Sequence, residues 1–278
     1  MGHIAKLHSQ PRAGGELNSA RQHAASHLEI SDLTVRFGGI TALEDVSFTV
    51  PRGTICGLIG PNGAGKTTCF NCISSVYVPS MGTIALDGKP LTGLRRHMVA
   101  LAGVGRTFQN LALFPSMSVR ENVMIGAHGR GRGGFLASMF MSASVRRSEA
   151  EIGERADELI ERFGLTPFAH QSIGSLPFAT QKRVELARAL AGRPSLLILD
   201  EPAAGLNHEE VDALAAQIVR IRDEERVSIL LVEHHMNLVM KISDKVVVLN
   251  FGRKIADGLP SAVRADAAVT AAYLGGDE

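Results

Sequence analysis

Tryptophan is absent from the 278 residues, and only 5% of them are aromatic. That leaves little with which to stack exposed bases, and a formal net charge of +1 offers no excess of cation to a polyanion. No nucleic-acid partner is expected. Cysteine is scarce as well, with Cys56, Cys69 and Cys72 alone. An odd count without a secretory signal points to a reduced setting rather than a disulfide framework. Cys69-x-x-Cys72 has the spacing of a metal or redox pair. Zinc takes four ligands and no second pair exists, so both thiols are expected to pack inside a helix. No apolar run approaches the roughly 18–20 residues needed to cross a bilayer. Residues 1–27 carry His3, His8, His23 and His27 among Gly, Ser, Gln and Ala, with no continuous apolar segment. They are expected to form a disordered tail ahead of one domain spanning 28–278.

The remaining composition, 45% hydrophobic and 21% charged, is that of an ordinary globular chain long enough to bury a large core. Leu28, Ile30, Leu33 and Val35 alternate imperfectly, and Val46, Phe48 and Val50 do so regularly, which predicts strands. Residues 54–59 are a short apolar run of the buried-strand type, and a helix is expected to begin within 65–68. Residues 83–86 predict a strand entering a tight Asp87-Gly88 turn. Ser118-Val119-Arg120-Glu121 has capping-box spacing. Ile152, Ala156, Leu159, Ile160 and Phe163 share one helical face, with Gly164 placed to stop the helix. Residues 181–191 predict a further helix. The runs 196–199, 229–232 and 246–249 predict buried parallel strands. The expected fold is α/β: a P-loop core on a parallel sheet, an antiparallel β subdomain, and a helical insert over about 110–190. Within the insert, residues 129–134 are basic and glycine-rich, and residues 135–141 are rich in Phe, Leu and Met. They are read as a solvated loop leading into a short helix, and contact with a membrane-embedded partner is the sharper reading.

The strongest chemical signal is Gly60-Pro61-Asn62-Gly63-Ala64-Gly65-Lys66-Thr67, which fits G-x-x-x-x-G-K-[ST]. Glycines let backbone N–H groups wrap phosphate closely, and the following helix adds its positive end. Lys66 is assigned to the β- and γ-phosphates and the Thr67 hydroxyl to Mg²⁺, with Thr68 counted among the nucleotide-binding residues. The apolar run 196–199 ends in Asp200-Glu201, which puts two carboxylates at the carboxyl edge of a parallel sheet. Asp200 is assigned to Mg²⁺ and Glu201 to orienting or deprotonating the attacking water. His234, just past the next apolar run, is placed to meet the γ-phosphate. Gln109, between the phosphate loop and the insert, is a candidate Mg²⁺ ligand and γ-phosphate sensor. ATP and Mg²⁺ are thus the expected substrate and cofactor.

In this order, these residues make the chain resemble the nucleotide-binding subunit of an ABC transporter, from about Leu28 to the end. Val104-Gly105-Arg106-Thr107-Phe108-Gln109, Ala203-Ala204-Gly205-Leu206-Asn207, Glu233-His234-His235-Met236 and Ala272-Tyr273-Leu274-Gly275 make it most similar to the longer ATPase subunit of branched-chain amino acid importers. The resemblance implies that Phe37 stacks on adenine. It also implies that Leu176-Pro177-Phe178-Ala179-Thr180 stands where the ABC signature meets the γ-phosphate of an opposing subunit. The departures fall there: Pro177 replaces the family's serine and Ala179 its glycine, with crowding of phosphate or backbone strain as the expected result. A further implication is a head-to-tail pair with a second ATPase subunit, expected to be a different chain, with a homodimer as the alternative. Integral membrane permease subunits and, indirectly, a solute-binding protein would complete the system, with this chain cytoplasmic on the inner face of the membrane. Export of lipid or lipopolysaccharide is the alternative, since related exporters share the closing Ala-Tyr-Leu-Gly pattern. A non-transport ABC ATPase would usually carry a coiled-coil insertion or a second cassette, and a GTPase an Asn-Lys-x-Asp. None of these is present.

Overall fold

Imperfect alternation in the first strand has a local cause. In the computed structural model, which describes residues 26–108, 111–128 and 143–274, β1 (Ser26–Phe37) slips register between Ile30 and Leu33, where Asp32 adopts φ 52°. This bulge returns Leu33 and Val35 to the face already occupied by Leu28 and Ile30, and all four are buried. β1 pairs antiparallel with β2 (Ile40–Pro51) and β4 (Met81–Leu86), and β5 (Lys89–Pro90) completes a sheet ordered β2-β1-β4-β5. Asp87 (φ 50°) and Gly88 (φ 72°) make the tight β4–β5 turn, since two left-handed residues match the twist of a hairpin.

The strand begins two residues before Leu28, so His27 belongs to it and not to a tail. His27 is buried, with Nδ1 2.7 Å from Asp87 Oδ1 and Nε2 3.0 Å from the Ser195 carbonyl oxygen. It ties the antiparallel sheet to the main one. His27→Phe fills the space but breaks both bonds. It is expected to lower the unfolding free energy by about 1–3 kcal/mol, read from urea denaturation.

The main sheet is ordered β10-β9-β3-β8-β7-β6. β3 (Ile55–Ile59), β6 (Val104–Arg106), β7 (Leu196–Asp200), β8 (Ser228–Val232) and β9 (Lys245–Asn250) are parallel, and β10 (Arg253–Gly258) is an antiparallel edge. Every residue of β3, β7 and β8 is buried, which is why they read as unbroken apolar runs. Ile55, Leu197, Leu199 and Leu231 join one apolar cluster, and Cys56, Leu58, Ile198 and Leu230 join the other, so the two faces carry separate cores. Cys56, Cys69 and Cys72 are buried free thiols, and burial pushes Cys56 up to about 12 and Cys72 to about 11, leaving them protonated and inert.

Helices cover both faces. α1 (Lys66–Ile73) follows β3, and α2 (Arg96–Leu101) precedes β6. The insert is built from α3 (Val119–His128), α4 (Ala143–Arg162) and α5 (Phe178–Ala191). Glu121 Oε2 accepts from Ser118 N at 2.8 Å while Ser118 Oγ accepts from Glu121 N at 3.2 Å, a complete capping box. Ile152, Ala156, Leu159, Ile160 and Phe163 are all buried, and Gly164 ends that helix at φ 63°. α6 (His208–Glu225) is clasped to α4 by Arg155–Glu225 at 2.8 Å and Arg162–Glu224 at 2.6 Å. α7 (Met236–Ile242), α8 (Pro260–Arg264) and α9 (Ala267–Leu274) are the last helices among the described residues. Gln109, the segment 129–141, and His3, His8 and His23 lie outside the described residues.

Candidate active site

Parallel β3, β7 and β8 all deliver their carboxyl ends to one edge of the sheet. The loops that leave this edge carry residues 60–67, Asp200-Glu201 and His234. In the first loop, Gly60, Gly63 and Gly65 have φ of 151°, 77° and 99°. A Cβ on Gly60 would lie 2.1 Å from the Leu249 carbonyl oxygen, and one on Gly65 would lie 2.6 Å from Leu43 Cδ2. Glycine is required at both positions by backbone conformation and by space. Pro61, Asn62 and Ala64 complete the turn, with Ala64 N donating to Pro61 O at 3.2 Å. Because α1 starts at Lys66, Thr67 and Thr68 occupy its first turn, where backbone N–H groups have no partner within the helix.

Lys66 is nearly buried, and Nζ donates to the carbonyl oxygens of Gly60 at 2.6 Å and Pro61 at 2.9 Å. Burial lowers its pKa, while Glu201 and Asp200 oppose that shift. The ammonium is thus folded back on its own loop, at the spot where phosphate oxygens could replace the carbonyls.

Asp200 is 5% exposed, and burial, reinforced by Glu201, raises its carboxyl to about 6. Its backbone N–H donates to Thr107 Oγ1 at 3.2 Å, which ties β7 to the loop leading to Gln109. Glu201 stands at φ 46°, a left-handed conformation that is costly for a residue with a side chain. Its N–H donates to Val232 O at 2.8 Å. His234 Nδ1 lies 3.8 Å from Glu201 Oε1, so the structure brings these two together.

Several participants were not anticipated. Glu233 is fully buried beside His234, and its Oε1 accepts from Ala203 N at 2.8 Å while Oε2 accepts from His234 N at 3.0 Å and His235 N at 3.3 Å. Its signals in the sequence are an acid closing an apolar strand and a place in the Glu233-His234-His235-Met236 stretch. Arg106 is sandwiched between the rings of Phe70, at 4.4 Å, and Phe108, at 4.5 Å. Buried Glu185 on α5 accepts from Phe108 N at 3.0 Å and so fastens the insert to the loop before Gln109. Phe37 is 45% exposed, not a core aromatic, and meets Tyr77 edge-on with ring centroids 5.1 Å apart.

Residues 176–180 stand elsewhere. Among the described residues, no hydrogen bond joins them to the phosphate loop. Leu176 and Thr180 are buried, Ala179 is half-buried, and Pro177 and Phe178 are exposed. α5 begins three residues earlier than the sequence predicts, because Pro177 serves as its N-cap at φ −57° and ψ 148°. Ala179 is an ordinary helical residue without left-handed φ. The backbone strain expected there is therefore absent, and only crowding of a ligand by its methyl remains. The Phe178 ring packs on Gly205, where an added Cβ would lie 3.1 Å from it. Asn207 caps α6 through a box with Glu210, its side chain accepting from Glu210 N at 3.0 Å. Aspartate would cap equally well.

The donor set suits Mg²⁺, which takes a hydroxyl and one or two carboxylates together with substrate phosphates rather than a dedicated cage. Among the described residues no cluster of three metal-ligating side chains occurs, and no helix is long and apolar enough to cross a membrane.

Comparison with known proteins shows the family of the chain. Residues 43–204 match the family model described as ABC transporter, and residues 253–278 match that of the branched-chain amino acid ATP-binding cassette transporter. The chain is 48% identical to the high-affinity branched-chain amino acid transport ATP-binding protein BraF of Pseudomonas aeruginosa, over 89% of this chain and 97% of that protein. It is 42% identical to the corresponding protein LivG of Escherichia coli over the same shares. Among solved structures, the ADP conformation of the ATP-binding cassette MJ1267 is similar with a TM-score of 0.78 and 28% identity, over 90% of this chain and 99% of that one. A nucleotide-free cassette from an ABC transporter gives 0.77 and 26%, over 89% and 98%. The chain belongs to the ABC transporter family, as one of its ATP-hydrolysing, ATP-binding cassettes.

Proposed function

We propose that this cassette powers import of branched-chain amino acids through separate membrane permease subunits. The observation that carries the reading is the nearly full-length likeness to BraF and LivG, supported by the tail match over residues 253–278. Both relatives are named for branched-chain amino acid transport, which favours this reading over lipid export.

In the proposed mechanism, backbone N–H groups of residues 60–67 and the start of α1 cradle the phosphates of ATP, and Lys66 exchanges its two carbonyls for phosphate oxygens. Phe37, with Tyr77 against its edge, offers a face to adenine. Thr67, Asp200 and Gln109 would hold Mg²⁺, which neutralises charge on the phosphates when bound. Glu201 accepts the proton of the attacking water, and His234 aligns it against the γ-phosphate. The exposed Pro177 and Phe178, at the positive end of α5, face the ATP of a second, different ATPase subunit. The chain would sit on the inner face of the membrane, joined to the permeases, and a solute-binding protein would act through them.

Co-expression with its permeases and partner ATPase in proteoliposomes tests the reading. Leucine-loaded binding protein is expected to stimulate ATP hydrolysis and leucine uptake together. Stimulation by lipid and not by branched-chain amino acids would replace import by export. In that assembly Ala179→Gly is expected to raise turnover about two- to fivefold, because phosphate approaches the helix end more closely without the methyl. Unchanged turnover would show that the methyl does not crowd phosphate.

A further inference from the structure

The closing Ala272-Tyr273-Leu274-Gly275 stretch marks the resemblance, yet has no part in the site described so far. Its tyrosine lies in α9, against the apolar cluster that also receives Ile255 and Ala256 of β10. The Tyr273 hydroxyl oxygen is shut off from solvent, and no partner meets it in normal hydrogen-bond geometry. The group it faces is the backbone N–H of Gly60, the first residue of the phosphate loop; burial raises the phenol from its ordinary value, and that N–H draws it down.

The same part of the chain braces the loop twice more. Gly252, in the β9–β10 turn, donates from N to Ala64 O at 3.1 Å. The Leu249 carbonyl leaves no room for a side chain on Gly60. On its carbonyl side, Gly60 holds Lys66 Nζ at 2.6 Å. Gly60 therefore has its carbonyl held by an ammonium, while its N–H faces a phenol that does not yet hold it. When phosphate takes Lys66 away, the residue best able to turn is this one, with φ 151° and no side chain. A buried hydroxyl lacking a well-formed partner gains from any movement that supplies one.

We infer that Tyr273 is a positioning residue for the phosphate loop, taking the Gly60 N–H in a well-formed hydrogen bond when nucleotide is bound, so that the C-terminal helix registers occupancy of the site. The inference rests on residues 60–67 being the phosphate site. It adds a role for the tail beyond marking a branch of the family.

The chain has two tyrosines and no tryptophan, so in Tyr77→Phe protein Tyr273 is the sole tyrosine emitter. Titration of that protein with Mg-ADP is expected to change its emission, with saturation at the dissociation constant found by calorimetry. Adding Lys66→Ala is expected to abolish both signals. Separately, Tyr273→Phe keeps the ring and loses the hydroxyl. Its KM for ATP is expected to rise about fivefold, the size of one lost neutral hydrogen bond, with kcat and Tm unchanged. Calorimetric saturation without a change in emission overturns the inference. So does an unchanged KM in Tyr273→Phe, or a loss of activity that tracks a lowered Tm. Nucleotide affinity that survives Lys66→Ala overturns the phosphate-site reading instead.

Discussion

Exchange of Glu201 for Gln is expected to slow ATP turnover by about two to four orders of magnitude while nucleotide affinity stays within a few-fold. The amide has the size of the carboxylate but takes no proton from water. The backbone supports this assignment independently. A glutamate at φ 46° is kept in a conformation that most residues avoid, fixed by its N–H to Val232 O and by the neighbouring β8 end. His234, 3.8 Å away, is the only other described side chain proposed to meet the water, and its ring is half exposed. Phosphate release in steady state and ATP binding by calorimetry separate chemistry from affinity. Turnover within tenfold of the parent would place the base elsewhere.

Asp200→Asn is expected to make the protein more stable and nearly inactive. In the parent, burial and then Glu201 raise the Asp200 carboxyl from the usual 3.8 to about 6. The folded chain therefore holds this proton more tightly than the unfolded chain. The contribution to stability is full below pH 4, declines as pH rises from about 4 to about 6, and is lost above that. A rise of this size corresponds to about 3 kcal/mol, so the variant is expected to gain about 2–3 kcal/mol over the parent at pH 7.5 and nothing at pH 3.5. Other carboxylates pull the other way: the Arg120 guanidinium holds Asp157 below its usual range. The difference between variant and parent across pH is thus the informative quantity, measured by urea unfolding. A difference that does not vary with pH would show that Asp200 is not the destabilising group. Hydrolysis should fall by at least about tenfold, since Mg²⁺ loses a carboxylate. On the proposed mechanism, stability is given up for a charge that holds Mg²⁺.

What was legible in the sequence is whatever a short stretch decides by itself. Residues 60–67 are recognisable because one short loop holds the whole pattern, and its glycines take the left-handed turns that the pattern requires. Asp200-Glu201 and the Ser118–Glu121 box are equally local, and the buried strands are plain because both faces of the sheet are covered. What was hidden depends on partners far along the chain. Glu233 matters because it accepts from Ala203, thirty residues earlier. Arg106 needs Phe70 before its stacking has meaning, and Glu185 needs Phe108. His27 was assigned to a tail because nothing nearby shows that Asp87 and Ser195 await its ring. β10 escaped notice because an edge strand can carry Arg253, Lys254 and Asp257. The start of α5 is read late because Pro177 reads as a breaker, although its extended backbone lets it stand just ahead of the first helical residue.

Glu233 is a mechanical link between two loops. One carboxylate grips the amide of Ala203 with one oxygen and the amides of His234 and His235 with the other. With no solvent to loosen it, it works as a rivet through two loops. Ala203, at the head of the loop of residues 203–207, and His234, the histidine proposed to meet the γ-phosphate, must then shift together. A push delivered to that loop from across a subunit boundary would reach His234 directly, without first passing through the nucleotide.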